Sequence, residues 1–237
     1  MKTVVFIFFL FFINSFIGQE KTTIYCFPGQ GSDERIFDSL VIDSNYVLKI
    51  ITYSAPDENM DMKEFAKELS KQIDTTKEFV LFGVSLGGMI CVELSEFLKP
   101  QKTIIIASVK NRTEFPKRYS FQKYLPIYKL VPGTLLLLGA KICQPIVEPD
   151  RNKSKAVFKS MLSRKDANYM KRTVSLVMNW ERTSNTKSIY QIHGDNDHTL
   201  PLKNIKNPMF IVENGSHMMT LTNAKSVSCI LNYILVR

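Results

Sequence analysis

Six short apolar runs punctuate this chain, each closed by glycine, proline or polar residues: 21–27, 46–53, 78–82, 102–108, 188–193 and 208–212. Runs of that length, bounded in that way, predict buried strands. Between them apolar positions recur at helical spacing. Met62, Phe65, Ala66, Leu69 and Ile73 mark one helical face, Met89–Leu94 continues into a helix that Pro100 closes near Leu98, and Val227, Ile230, Leu231 and Ile234 mark a last helix over 223–235. A short helix over 34–40 is expected to be capped by Asp33. Strands alternating with helices predict βαβ units, a mainly parallel sheet and right-handed crossovers, the α/β class.

The alternation stops at Val109 and resumes near Ser188. The pattern therefore divides the chain into a core, residues 22–109 and 188–237, and an inserted segment, residues 110–187, after the fourth strand. Pro116, Pro126, Pro132, Pro145 and Pro149 interrupt the insertion, and helical periodicity survives over 156–162 and 166–182. A small helical cap over the carboxyl ends of the sheet is expected, since open α/β sheets keep their ligand crevice there. Met161, Met170, Val174, Val177, Met178 and Trp180 are candidates for its underside, though residues of this kind at helical spacing are more often plain core. Leu135–Leu138 is too short to cross a bilayer.

The amino end is different again. Lys2 precedes an apolar stretch, Val4–Ile13, that is short for a membrane span and typical of a secretory signal peptide over residues 1–18. An exported protein is expected, or a membrane-anchored one if the leader stays uncut. The remaining length suits one core carrying an insertion. Cys26, Cys91, Cys143 and Cys229 fall in four separate apolar runs without framework spacing, so they are expected to be small buried hydrophobes, and no Cys-x-x-Cys pair suggests zinc.

Net charge is +9, and its distribution matters more than its sum. Residues 110–190 hold 17 Lys and Arg against 5 Asp and Glu, so the rest of the chain is slightly acidic. A basic cap suggests weak association with anionic membrane surfaces or simply a solvated helical face. Nothing resembles a nucleic-acid motif, and the oligomeric state is not legible.

The chemistry centres on Gly83-Val84-Ser85-Leu86-Gly87-Gly88, a Gly-x-Ser-x-Gly turn between a strand and a helix. Such a turn exposes the serine hydroxyl at the sheet edge, and the helix beginning at Leu86 points free amides at developing negative charge. Serine needs a base, and the base an orienting carboxylate. His193 and His198 are weaker candidates; His217, in the loop after the last strand, is the favoured base. Asp195 and Asp197 compete for the carboxylate.

Taken together these residues resemble the α/β-hydrolase superfamily, which orders its triad Ser, Asp or Glu, His along the chain. Gly194-Asp195-Asn196-Asp197-His198-Thr199-Leu200-Pro201 resembles its acid loop and selects Asp197; Gly215-Ser216-His217 resembles its histidine loop. Pro28-Gly29-Gln30-Gly31 resembles the loop that supplies one oxyanion donor, with Pro-Gly in place of His-Gly. The resemblance implies a shortened six-stranded sheet flanked by helices and a triad of Ser85, Asp197 and His217. It also implies oxyanion donors in the amides of Gln30 and Leu86, no metal or organic cofactor, and a hydrolase of small-molecule esters, which the leader would export and whose apolar cap suggests lipid-like substrates. Thioester hydrolysis with the same triad, or a binding protein without turnover, are the alternatives.

Overall fold

A computed structural model describes residues 20–237; the leader expected over 1–18 lies outside them. Six strands form one all-parallel sheet: β1 (Thr22–Phe27), β2 (Tyr46–Ile50), β3 (Phe79–Val84), β4 (Lys102–Ile106), β5 (Tyr190–Gly194) and β6 (Phe210–Val212). Their spatial order is β2-β1-β3-β4-β5-β6. The chain steps outward from β1 to β2 and then returns past β1 to β3, so the direction of winding switches between β1 and β3. Loops leaving two adjacent carboxyl ends on opposite sides of such a switch open a crevice between them.

The four inner strands read as near-continuous apolar runs because both faces are covered, whereas the edge strands β2 and β6 leave Val47, Lys49 and Ile211 exposed. On one face Tyr25, Phe27, Leu81 and Ile105 meet α1 (Met62–Leu69) and α2 (Leu86–Phe97). On the other, Ile24, Phe82, Ile104 and Ile106 meet a 3₁₀ turn at Glu34–Phe37 and α9 (Ala224–Leu235), with the one-turn α8 (Met219–Thr222) just before it. Burying each such side chain contributes about 1.5–3 kcal/mol. Asp33 caps the 3₁₀ turn through the Arg35 amide at 3.2 Å. The edge strand β2 ends at Ile50, short of the expected residue 53, because its neighbour β1 ends at Phe27. Freed from the edge, the Tyr53 hydroxyl donates to the Pro28 carbonyl.

The insertion is more helical than its sequence pattern indicates. Two helices match expectation, α6 (Lys155–Ser163) and α7 (Ala167–Asn179), the latter capped by Asp166 through the Tyr169 amide at 2.7 Å. Three others precede them: α3 (Lys117–Tyr124), α4 (Ile127–Leu130) and α5 (Gly133–Val147). Their N-caps are Pro116, Pro126 and Pro132, prolines that read as breaks but sit where a helix has no amide to lose. α1, α3, α4 and α5 all pack on α7.

The two ends of the insertion meet. The Arg112 amide donates to the Arg182 carbonyl at 2.7 Å, and Asn185 Nδ2 donates to the Lys110 carbonyl at 3.0 Å. Buried Glu93 of α2 anchors the exit by accepting from Trp180 Nε1 at 2.7 Å and Arg182 Nε and Nη2 at 2.8 Å each. The cysteine expectation needs correcting. All four thiols are free, and Cys26 and Cys91 are buried, whereas Cys143 and Cys229 face outward from α5 and α9 because amphipathic helices leave one side in solvent.

Candidate active site

Ser85 occupies the turn between β3 and α2 with φ 52° and ψ −117°, a conformation disfavoured for any residue with a Cβ. The surroundings over-determine it. The Ser85 amide donates to the Ile106 carbonyl at 3.0 Å, and its own carbonyl accepts from the Gly88 amide at 2.9 Å and the Ser108 hydroxyl at 2.7 Å. Backbone strain of this kind, about 1–3 kcal/mol, persists where a fold fixes one side chain's direction. Gly87 makes the turn fit: a Cβ there would lie 2.0 Å from the Phe27 carbonyl oxygen. That contact also ties the serine turn to the end of β1.

The carboxyl ends of β5 and β6 bring the other two groups. Asp197 is 2% exposed; Oδ1 accepts from the amides of Thr199 and Leu200, both at 2.8 Å, and Oδ2 accepts from His217 Nδ1 at 2.8 Å. His217 Nε2, left with its lone pair, accepts from Ser85 Oγ at 2.9 Å. Close passage of the two loops permits this chain of bonds: a Cβ on Gly194 would lie 2.0 Å from the Gly215 carbonyl oxygen.

Electrostatics follow from the geometry. Burial alone would lift the Asp197 pKa, but His217, His193 and the Leu200 amide together hold it below the usual carboxylate value. Burial alone would depress His217, and Asp197, helped by Glu148, outweighs it and raises the imidazole above its ordinary 6.5. His193 flanks the same carboxylate at 3.5 Å but is fully buried, with Nε2 donating to the Leu200 carbonyl at 2.7 Å. Burial drives its pKa down, so it stays neutral and packed under the loop, away from Ser85. His198 and Asp195 face solvent, His198 against Asn196 at 3.1 Å, and neither belongs to the bonded chain.

The loop after β1 supplies the opposite wall. A Cβ on Gly29 would lie 3.2 Å from Ser85 Cβ, so the loop runs directly beside the hydroxyl. Among the described residues the amides of Gln30 and Leu86 have no acceptor, and both residues line the cavity with Ser85 and His217. Gln30 is fixed from the other end, its Nε2 donating to Thr173 of α7 at 2.8 Å. The cavity measures about 480 Å³ between Ser85 and the cap. Its far walls are apolar: Leu136, Phe158, Leu162, Met170, Val174 and Val177 among others. Of the candidates named from sequence, Met170, Val174, Val177 and Met178 line it. Met161 is buried elsewhere, and Trp180 packs in the core against α2.

Sequence reasoning missed Glu148, which lines the same cavity just past the end of α5, its Oε1 buried with no hydrogen-bond partner among the described residues. Burial pushes its carboxyl upward, against the pull of His217, Ser216 and the Met218 amide. It also missed the Ser108 and Tyr53 hydroxyls, which brace the serine turn and the Pro28 loop. Neither the pattern nor the spacing around these three residues signals a role. Among the described residues no group of three His, Cys, Asp or Glu is placed to hold a metal ion.

No family model and no curated protein sequence matches this chain. Solved structures do. An enol-lactonase from Burkholderia xenovorans matches at 12% identity over 92% of each chain, with a TM-score of 0.68. A thermophilic esterase from Thermogutta terrifontis matches at 11% identity over 91% of this chain and 90% of that one, TM-score 0.64. A hydrolase from Pseudomonas aeruginosa matches at 11% identity over the same shares, TM-score 0.66. At this identity the likeness is one of fold.

Proposed function

Starting from the α/β-hydrolase fold that these likenesses establish, we propose that the protein is a serine hydrolase of carboxylic esters with apolar acyl groups. The observation that carries this reading is His217 bridging Ser85 and Asp197 at 2.9 and 2.8 Å beneath an apolar cavity. Ser85 Oγ attacks the ester carbonyl carbon while its proton passes to His217 Nε2. The carbonyl oxygen takes up the negative charge and receives hydrogen bonds from the Gln30 and Leu86 amides, each such donor contributing about 2.7–4 kcal/mol at the transition state. The carbon–oxygen bond then breaks, the imidazolium returns the proton to the leaving alcohol, and an acyl group remains on Ser85. Water, deprotonated by His217, attacks that acyl carbon; the bond to Ser85 Oγ then breaks, the imidazolium returns its proton to Oγ, and the acid is released. Asp197 stays ionised throughout and holds Nδ1–H.

Cyclic esters present the same bond, and one of the matched folds is an enol-lactonase, so lactones belong in the substrate panel. A graded set of p-nitrophenyl esters, together with fluorophosphonate labelling of wild type and Ser85→Ala, tests the reading. Labelling of the wild type alone, with turnover, is expected. A folded wild type that neither labels nor turns over would replace it with a binding role.

A further inference from the structure

From residue 115 to residue 147 the chain has no Asp or Glu, and its charges are Lys117, Arg118, Lys123, Lys129 and Lys141. The same segment carries exposed large apolar side chains: Phe121, Tyr124, Leu125, Leu130, Leu138 and Ile142. Tyr124 and Leu130 are 85% and 86% exposed, which is unusual for side chains of that size. Isolated exposed apolar residues are ordinary, but a concentration on neighbouring helices marks a contact surface. On α5, Leu135, Leu138 and Ile142 recur at i, i+3 and i+7, forming one outward stripe with exposed Lys141 beside it. α3, α4 and α5 all rest on α7, so their outer sides belong to one layer.

Charge decides what covers this layer. A second copy docked about a two-fold axis would bring basic residues against the same basic residues, with no acidic partner in the segment. An anionic lipid surface complements both features, taking apolar side chains into the headgroup boundary and lysines onto phosphate. Among the described residues no helix is long and apolar enough to cross a membrane, so the geometry is that of a protein lying on the surface. The cavity is placed to benefit, because Leu135 and Cys143 are exposed and also line it. Its mouth therefore opens along the edge of this stripe.

We infer that the outer face of α3, α4 and α5 docks on an anionic bilayer and delivers lipid-borne esters to Ser85 through the opening beside α5. The delivery half rests on the ester-hydrolase reading; the docking half does not. The purified protein is tested by sedimentation with phosphatidylcholine vesicles with and without about 30% phosphatidylglycerol. Binding to the anionic vesicles should be about tenfold tighter or more, and should weaken about tenfold between about 0.02 and 0.5 M salt. The double variant Leu130→Asp, Ile142→Asp should lose at least about tenfold in binding. It should still cleave soluble p-nitrophenyl butyrate within about twofold of wild type, since neither side chain lines the cavity, and cleave a vesicle-borne ester more slowly.

Equal partition of wild type and double variant, or no preference for anionic vesicles, would overturn the docking. So would a dimer that the double variant dissolves without any vesicle binding, which would assign the face to a second copy. Vesicle binding with no turnover of any ester would leave the docking in place and overturn the delivery together with the hydrolase reading.

Discussion

The rim of the sheet and the cap above it are built from different contacts. At the rim, main chain meets main chain: Gly87 against Phe27, Gly194 against Gly215, and the Ser85 amide on the Ile106 carbonyl. In the cap, main chain meets main chain where Gly133 passes the Ala167 carbonyl, side chains such as Tyr128 and Asn179 make the other contacts with α7, and the outer sides of α3, α4 and α5 end in solvent. The rim cannot change one atom without moving a strand end, whereas the cap can exchange a side chain and keep its helices. Reaction type is therefore expected to be set below and substrate choice above.

Substitutions sharpen that contrast, taken here from the largest effect to the smallest. Ser85→Ala should lower kcat on p-nitrophenyl butyrate by about a millionfold with the melting temperature nearly unchanged. A residual rate within a hundredfold of wild type would put the chemistry elsewhere. Asp197→Asn should cost about 10⁴ in kcat, because the amide favours the wrong imidazole tautomer. His193→Gln, on the other flank of the same carboxylate, should cost less than tenfold in kcat and show its effect in urea unfolding, by about 1–3 kcal/mol. Comparable losses of activity in the two variants would erase the distinction between the histidines.

Gly87→Ala should destabilise the fold by about 3 kcal/mol or more, since the new Cβ meets backbone that cannot yield. In the cap, Val174→Phe should shift the hexanoate-to-acetate preference about tenfold toward acetate while leaving acetate hydrolysis within about threefold. If the acetate rate collapses as well, the cap takes part in the chemistry. The smallest effect is in the pH profile. His217 must be neutral to accept the Ser85 proton, and its pKa is raised, so kcat/KM should fall as pH drops through a midpoint above 6.5. Asp197→Asn should move that limb downward. The raised pKa also has a stability consequence: the pair's contribution is complete below the unfolded imidazole pKa and is lost as pH rises through the folded one.

The same contrast explains what could be read in advance. The loops carrying Ser85, Asp197 and His217 write their backbone requirements into the sequence, because a close approach demands glycine at fixed offsets, as at Gly83, Gly87, Gly194 and Gly215. Hydrophobic runs located all six strands: the four inner ones are covered on both faces, and the edge strands β2 and β6 keep enough apolar positions to stand out although Val47, Lys49 and Ile211 are exposed. Asp197 could be separated from Asp195 only by resemblance, since both follow the same strand within three residues. The cap was legible in part. Pro116, Pro126 and Pro132 hide three helices from a reading that treats proline as a stop, and nothing local to Glu148 foretells burial that long-range packing imposes.

Because the insertion departs and returns through the paired backbone of Arg112 and Arg182, the strands on either side need only a short bridge to remain joined. Excising the intervening helices would remove a long detour at little entropic cost to the remaining chain. The architecture thus behaves as a socket, in which roofs of other lengths or polarities could be fitted by recombination at one seam without disturbing the machinery underneath.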